Sequence, residues 1–211
     1  NNKLLDLNKC KIISYRRELN MKEGWCERKV HLETSDCDEI EIKSKKFISL
    51  KRENIGVIKY SIKALKSKLK IKVLPSIDID VKNNDANWNQ PFLETIETST
   101  EKNFSTVNSK IINSDFEIAT FIKTKYFINS IAIEANYIPS NNKKLIGCSS
   151  TFDLDKNHEL SILKLGGYVN SNDTPKKEFK KIIKHETQSA LKQGFVNLLD
   201  ENKKEWSKIW N

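Results

Sequence analysis

Lys68-Leu69-Lys70-Ile71-Lys72-Val73-Leu74-Pro75-Ser76-Ile77-Asp78-Ile79-Asp80-Val81-Lys82 carries the clearest period in this chain. Leu69, Ile71, Val73, Pro75, Ile77, Ile79 and Val81 fall on odd positions, with Lys68, Lys70, Lys72, Asp78, Asp80 and Lys82 between them. Side chains on a strand alternate between faces, so the pattern predicts one long strand with one face in a core and one face wet. Pro75 has no N–H to give to a ladder and marks an edge or a bulge.

Outward from this segment the same alternation recurs at Ile58, Tyr60, Ile62 and Ala64, and around Ile131, Ile133 and Ala135. Shorter runs sit at Val30/Leu32, Ile40/Ile42 and Ile162–Leu165. Turn-forming clusters separate them: Ser35-Asp36, Asn83-Asn84-Asp85, Pro139-Ser140-Asn141-Asn142 and Ser171-Asn172-Asp173. Many strands without intervening helices predict a mainly β fold, a large antiparallel two-sheet β-sandwich. Residues 1–173 are too many for one immunoglobulin-like module.

The period changes after Thr174-Pro175, where Thr174 suits a helix cap and Pro175 its first turn. Phe179, Ile182, Ile183, Ala190, Leu191, Phe195, Leu198 and Leu199 then recur at helical spacing, so residues 174–211 form a helical segment. Gly194 predicts a break or a close packing contact, and a second piece follows Asp200. That piece carries Trp206 and Trp210, which share one helix face. Each indole can bury roughly 150–250 Å², so this face calls for a partner. It is either a further domain of a longer protein or the sandwich itself, with the helix folded back.

Composition narrows the function classes. Of 211 residues, 37% are hydrophobic and 31% charged, which suits a globular protein with a substantial core. No apolar run approaches the ~18 residues of a membrane span. The net charge of +9 invites a nucleic-acid reading, but the lysines are spread along the chain between apolar residues. Arginine, suited to bidentate contacts, occurs only at Arg16, Arg17, Arg28 and Arg52. Neither nucleic acid nor membrane is an expected partner. Cys10, Cys26, Cys37 and Cys148 contain no C-x-x-C pair, which favours reduced thiols and a cytoplasmic home, with the periplasm left open.

No catalytic constellation emerges. His31, His158 and His185 are far apart, and Gly166-Gly167 lacks a phosphate-loop frame. Asp78 and Asp80 share a sheet face, as a cation or carboxylate pair would, although a solvated face is the better reading. No metal site is expected. The loop Asn83-Asn84-Asp85-Ala86-Asn87-Trp88-Asn89-Gln90-Pro91-Phe92 mixes amides, an acid and aromatic rings. That mixture suits a sugar, whose hydroxyls and C–H faces it can meet, or an anchor that holds the loop to the sandwich.

Tyr15-Arg16-Arg17-Glu18-Leu19-Asn20-Met21-Lys22-Glu23-Gly24-Trp25-Cys26-Glu27-Arg28, Lys46-Phe47-Ile48-Ser49, Ser76-Ile77-Asp78-Ile79-Asp80-Val81-Lys82-Asn83 and Asp85-Ala86-Asn87-Trp88 follow one another in a set order. With Leu163-Lys164 and the Trp206/Trp210 pair, they resemble the N-terminal domain of glycoside hydrolase family 65, which includes maltose, trehalose and kojibiose phosphorylases. The Asp85–Trp88 loop is most similar to that of maltose phosphorylases. Lys46 replaces an expected Arg, and Asn202 stands where a histidine often precedes the tryptophan pair. The family's extreme N-terminal strands have no counterpart, which implies truncation at the front.

The resemblance implies a β-supersandwich and a helical linker that leads to an (α/α) barrel. In the family the barrel holds the general-acid Glu and the phosphate site, so it implies no catalytic residue in this chain. Inorganic phosphate would be a co-substrate of the parent rather than a cofactor here. The parent would cleave an α-linked glucose disaccharide, by phosphorolysis or hydrolysis, and could form a homodimer. Asp85, Asn87 and Trp88 would border the sugar pocket, and Trp206 and Trp210 would pack between domains. A free-standing carbohydrate-binding or structural sandwich is the alternative.

Overall fold

The computed structural model describes residues 3–82 and 91–210. After a short 3-10 turn at Leu7–Lys9, the strands are β1 (Lys11–Asn20), β2 (Trp25–Glu33), β3 (Glu39–Ile48), β4 (Ile55–Ala64), β5 (Leu69–Val73) and β6 (Ser76–Asp78). Then come β7 (Leu93–Glu101), β8 (Phe104–Ile111), β9 (Glu117–Ile128), β10 (Ile131–Ile133), β11 (Ile138–Pro139), β12 (Leu145–Leu154) and β13 (Glu159–Asn170). A helix, α1 (Phe179–Trp210), closes the chain.

All pairings are antiparallel. A nine-stranded sheet runs β1-β2-β3-β4-β13-β9-β8-β7, with β10 paired to β9. A four-stranded sheet is built on β12, which pairs with β11, β5 and β6. The expected two-sheet sandwich is therefore the observed fold. Both edge strands of the larger sheet carry an irregularity, between Ile12 and Ser14 in β1 and between Thr95 and Glu97 in β7. Such bulges blunt an edge against pairing with another chain.

Period-two alternation along β13 gives the larger sheet its two covers. Leu160 and Ile162 point into a core with Ala64, Tyr126, Phe152 and Leu154, against which Leu69, Ile71 and Val73 pack. Leu163 and Leu165 point the other way, into a core with Phe121, Val57, Phe179, Ile183 and Leu198. One face is thus covered by the small sheet and the opposite face by α1.

Three expectations need correction. The long strand predicted over 69–81 divides into β5 and β6 at Leu74-Pro75, because proline cannot donate to the ladder. Gly147 on β12 sits against this break, and a Cβ there would meet the Pro75 carbonyl oxygen at 2.1 Å. Pro75 has not ended the pairing; both halves still bind β12. Pro175 caps a 3-10 turn at Lys176–Glu178 without any side-chain cap from Thr174, and α1 starts only at Phe179. The helix breaks at Gly194, with φ 78° and ψ 166°, and not after Asp200, which stays helical. Nothing lies within 4 Å of a Cβ built on Gly194, so it serves the bend and not a close contact.

Candidate functional site at the seat of the helix

Beyond Gly194, Leu198, Asn202, Trp206 and Trp210 follow one another four apart and so line one face. Leu198 is buried in the core, and Asn202 is fully buried at 0% exposure. The Asn202 amide nitrogen donates to the Glu23 and Gly24 carbonyls, both at 3.4 Å. Its carbonyl oxygen accepts the Leu50 N–H at 3.1 Å. One side chain therefore joins α1 to the β1–β2 turn and to the β3–β4 loop, meeting backbone groups that would otherwise lack partners.

Trp206 occupies space that a side chain at position 24 would fill. Gly24 has φ +68°, and a Cβ there would lie 1.7 Å from the Trp206 indole nitrogen. The indole N–H is buried without a hydrogen-bond partner. Trp210 stacks on Trp206 with centroids 6.1 Å apart and planes 20° from parallel, and it remains 53% exposed. The helix thus folds one tryptophan onto its own sandwich and leaves the second half in water.

Charged groups surround this seat. The Trp25 indole N–H donates to Glu23 Oε2 at 2.6 Å, and Lys203 Nζ lies 3.4 Å from the same oxygen. The Trp25 hydrogen bond, with help from Lys203 and Lys45 and against some burial, holds the Glu23 carboxyl below its usual range. Lys45 Nζ sits 3.5 Å from the centroid of the Trp25 ring.

Arg52, in the β3–β4 loop, bridges the helix break. Its guanidinium pairs with Glu186 at 3.2 Å and donates to Gln193 at 2.8 Å, both before Gly194. Its Nε lies 3.4 Å from Glu201 Oε2, after the break, a charge contact without hydrogen-bond alignment. Lys51 holds the other Glu201 oxygen at 3.2 Å. Burial pushes the Glu201 carboxyl up, but Lys51, Arg52 and Gln193 together outweigh it and keep the group below its ordinary value.

The predicted site residues are not all brought together. Asp85, Asn87 and Trp88 lie outside the described residues. Asp78 accepts the Asp80 N–H at 2.9 Å and Asp80 pairs with Lys144 at 2.6 Å, an arrangement internal to the β6 end. His31 binds Glu39 at 2.6 Å, while His185 contacts Glu186 on the helix. Among the described residues no three His, Cys, Asp or Glu side chains gather as a metal site would require. Asn202 and Arg52 were not singled out as seat residues. A polar residue four before Trp206, on a stripe otherwise apolar, was the readable signal for Asn202. Arg52 offered none.

The described residues form a wide antiparallel two-sheet sandwich with a helix seated on its larger sheet. The chain matches the family described as "Glycosyl hydrolase family 65, N-terminal domain" over residues 1–209, and it belongs to that family. It is 28% identical over 199 residues to an alpha,alpha-trehalose phosphorylase from Thermoanaerobacter brockii, covering 90% of this chain and 25% of that one. It is 27% identical over 117 residues to a maltose phosphorylase from Bacillus subtilis (strain 168), covering 56% and 15%. A solved structure from the human microbiome, assigned as a kojibiose phosphorylase, superposes with TM-score 0.81 at 17% identity, over 96% of this chain and 25% of that one. This last likeness concerns the fold. The chain spans about a quarter of the length of the trehalose phosphorylase it matches.

Proposed function

We propose that this chain is the non-catalytic sandwich of a family 65 enzyme that cleaves an α-linked glucose disaccharide such as maltose. The supporting observation is the pinned second half of α1, which presents Trp210 half exposed beyond a rigid seat. In this reading Trp210 and the exposed Ile209 pack against an (α/α) barrel of the same enzyme, while Asp85, Asn87 and Trp88 border its sugar pocket. The barrel carries the chemistry: a protonated carboxyl assists the leaving oxygen, and phosphate attacks the anomeric carbon from the opposite face. Water takes that place if the parent is a hydrolase. No described helix is long and apolar enough to cross a membrane.

The test compares the purified 211-residue chain with the parent enzyme. With phosphate and maltose, trehalose or kojibiose, the chain alone releases no glucose 1-phosphate, and the parent does so with one of them. Release of a sugar by the chain alone, through either phosphate or water, overturns the assignment of chemistry to the barrel. A free-standing carbohydrate-binding role would instead show as calorimetric heat with an oligosaccharide, lost in Trp88→Ala.

A further inference from the structure

The helix-covered face of the larger sheet holds a hollow that the seat does not use. It lies where α1 bends at Gly194 over β4, β13 and β9, with a volume of about 420 Å³. Its apolar lining is Phe127, Leu163, Leu191, Phe195 and Val196. Lys59, Lys125 and Lys192 line it as well, and no acidic residue does.

Register explains how two of the lysines come to share it. Lys59 and Lys125 both pair with Leu163, one on each side of β13, so all three side chains leave the same face of the sheet. Strands lie roughly 4.8 Å apart, which puts the two lysine backbones on the order of 10 Å from each other. A lysine side chain can span half that distance, so both ammonium groups can reach one ligand over Leu163. Lys192 enters from the helix side. None of the three makes an ion pair among the described residues, whereas Lys29, Lys43 and Lys45 on neighbouring strands of the same face all do. The nearby carboxylate of Glu159 accepts the Ser161 hydroxyl at 2.7 Å. Like charges gathered at one cavity repel each other, and an anion bound among them relieves that repulsion.

We propose that this hollow binds a small organic phosphate, with its phosphate on Lys59, Lys125 and Lys192 and its ring or chain against Phe127 and Phe195. Ammonium groups act as point charges toward phosphate, and the dianion of a phosphate monoester answers three cations better than a single carboxylate does. The volume suits a ring with one phosphate. The site is independent of the disaccharide chemistry assigned to the parent.

Phenyl phosphate, inorganic phosphate, benzoate and phenol serve as probes in calorimetric titrations of the 211-residue chain at low salt. Phenyl phosphate is expected to bind at least tenfold more tightly than inorganic phosphate or benzoate, and phenol not measurably. Raising the salt to several tenths molar should weaken phenyl phosphate binding severalfold. Lys59→Gln with Lys125→Gln should weaken it at least tenfold, with circular dichroism unchanged and the thermal transition not lowered. Lys43→Gln, outside the hollow, should leave it as it was. Absence of phenyl phosphate binding to the wild-type chain overturns the proposal. So does binding that survives the double substitution, or equal binding of phosphate with and without the ring.

Discussion

The two covers of the nine-stranded sheet are attached in different ways. The small sheet is sealed mainly by apolar and aromatic side chains: Phe152 meets Tyr126 at 4.9 Å between ring centroids, with Leu154, Leu160 and Ala64 around them. The helix has an apolar seal too, through Phe179, Ile183, Ala190 and Leu198. It adds Asn202 and Arg52, buried or nearly so, each tied to groups far away in sequence. Apolar burial is non-directional and stabilises any close fit. Hydrogen bonds to fixed backbone groups hold only one register and angle. The sheet cover therefore supplies stability, while the pins on the helix set the direction in which its second half leaves the sandwich.

The strongest test of this division removes the seal on one side. Phe152→Ala should cost about 3–5 kcal/mol in urea unfolding, the range for a buried aromatic ring, with tryptophan emission unchanged before the transition. Asn202→Leu should cost less, roughly 2–3 kcal/mol, by leaving the Leu50 N–H and two carbonyls without their partner. Its signature is different: emission should shift before unfolding, because the helix half that carries Trp206 and Trp210 is no longer held. If Phe152→Ala moves the emission and Asn202→Leu does not, the contrast between seal and pin is wrong.

The next effect is smaller and depends on pH. Glu201 has its folded pKa depressed below the usual value of 4.5 by Lys51, Arg52 and Gln193. It therefore contributes stability that is fully present above the unfolded pKa and is lost as pH falls through the folded one. Unfolding free energy measured from pH 6 to pH 3 should fall less steeply in Glu201→Gln than in the parent sequence. Equal slopes would mean that the carboxylate gains nothing from the Arg52 clamp.

How far the sequence foretold this arrangement depended on whether an element has an apolar face. The runs Ile40/Ile42 in β3, Ile62/Ala64 in β4 and Leu69/Ile71/Val73 in β5 were legible, because each turns its apolar residues toward one side of its strand. β7, Leu93-Glu94-Thr95-Ile96-Glu97-Thr98-Ser99-Thr100-Glu101, lies at an edge and is almost wholly exposed, so no burial imprints a period on it. Pro75 announced an irregularity but not that β12 would keep both pieces. Gly194 marked the helix break, since only a glycine takes φ 78° without strain. The tryptophan face was also legible, though its partner was not: Trp206 finds Gly24, a residue with no side chain to advertise the contact. Arg52 escaped because contacts across more than a hundred residues leave no local pattern, and Asn202 showed only as a polar interruption of the stripe, without its partners.

The smallest expected effect concerns the ring that this division leaves over. Trp210 touches Trp206 through a stacked contact and is otherwise half in water. Such a pair contributes about 0.5–1.5 kcal/mol beyond area burial, so Trp210→Ala should destabilise the isolated chain by about 1–2 kcal/mol. Trp206→Ala should cost more, because that indole fills the space over Gly24. In the proposed parent enzyme the ranking should narrow, since a ring covered by a second domain loses burial on both sides when it is removed. Urea titrations of both substitutions, in the chain and in the parent, measure the difference directly. A loss near 3 kcal/mol for Trp210→Ala in the isolated chain would make the second indole part of the sandwich core and leave no surface for a neighbouring domain to cover.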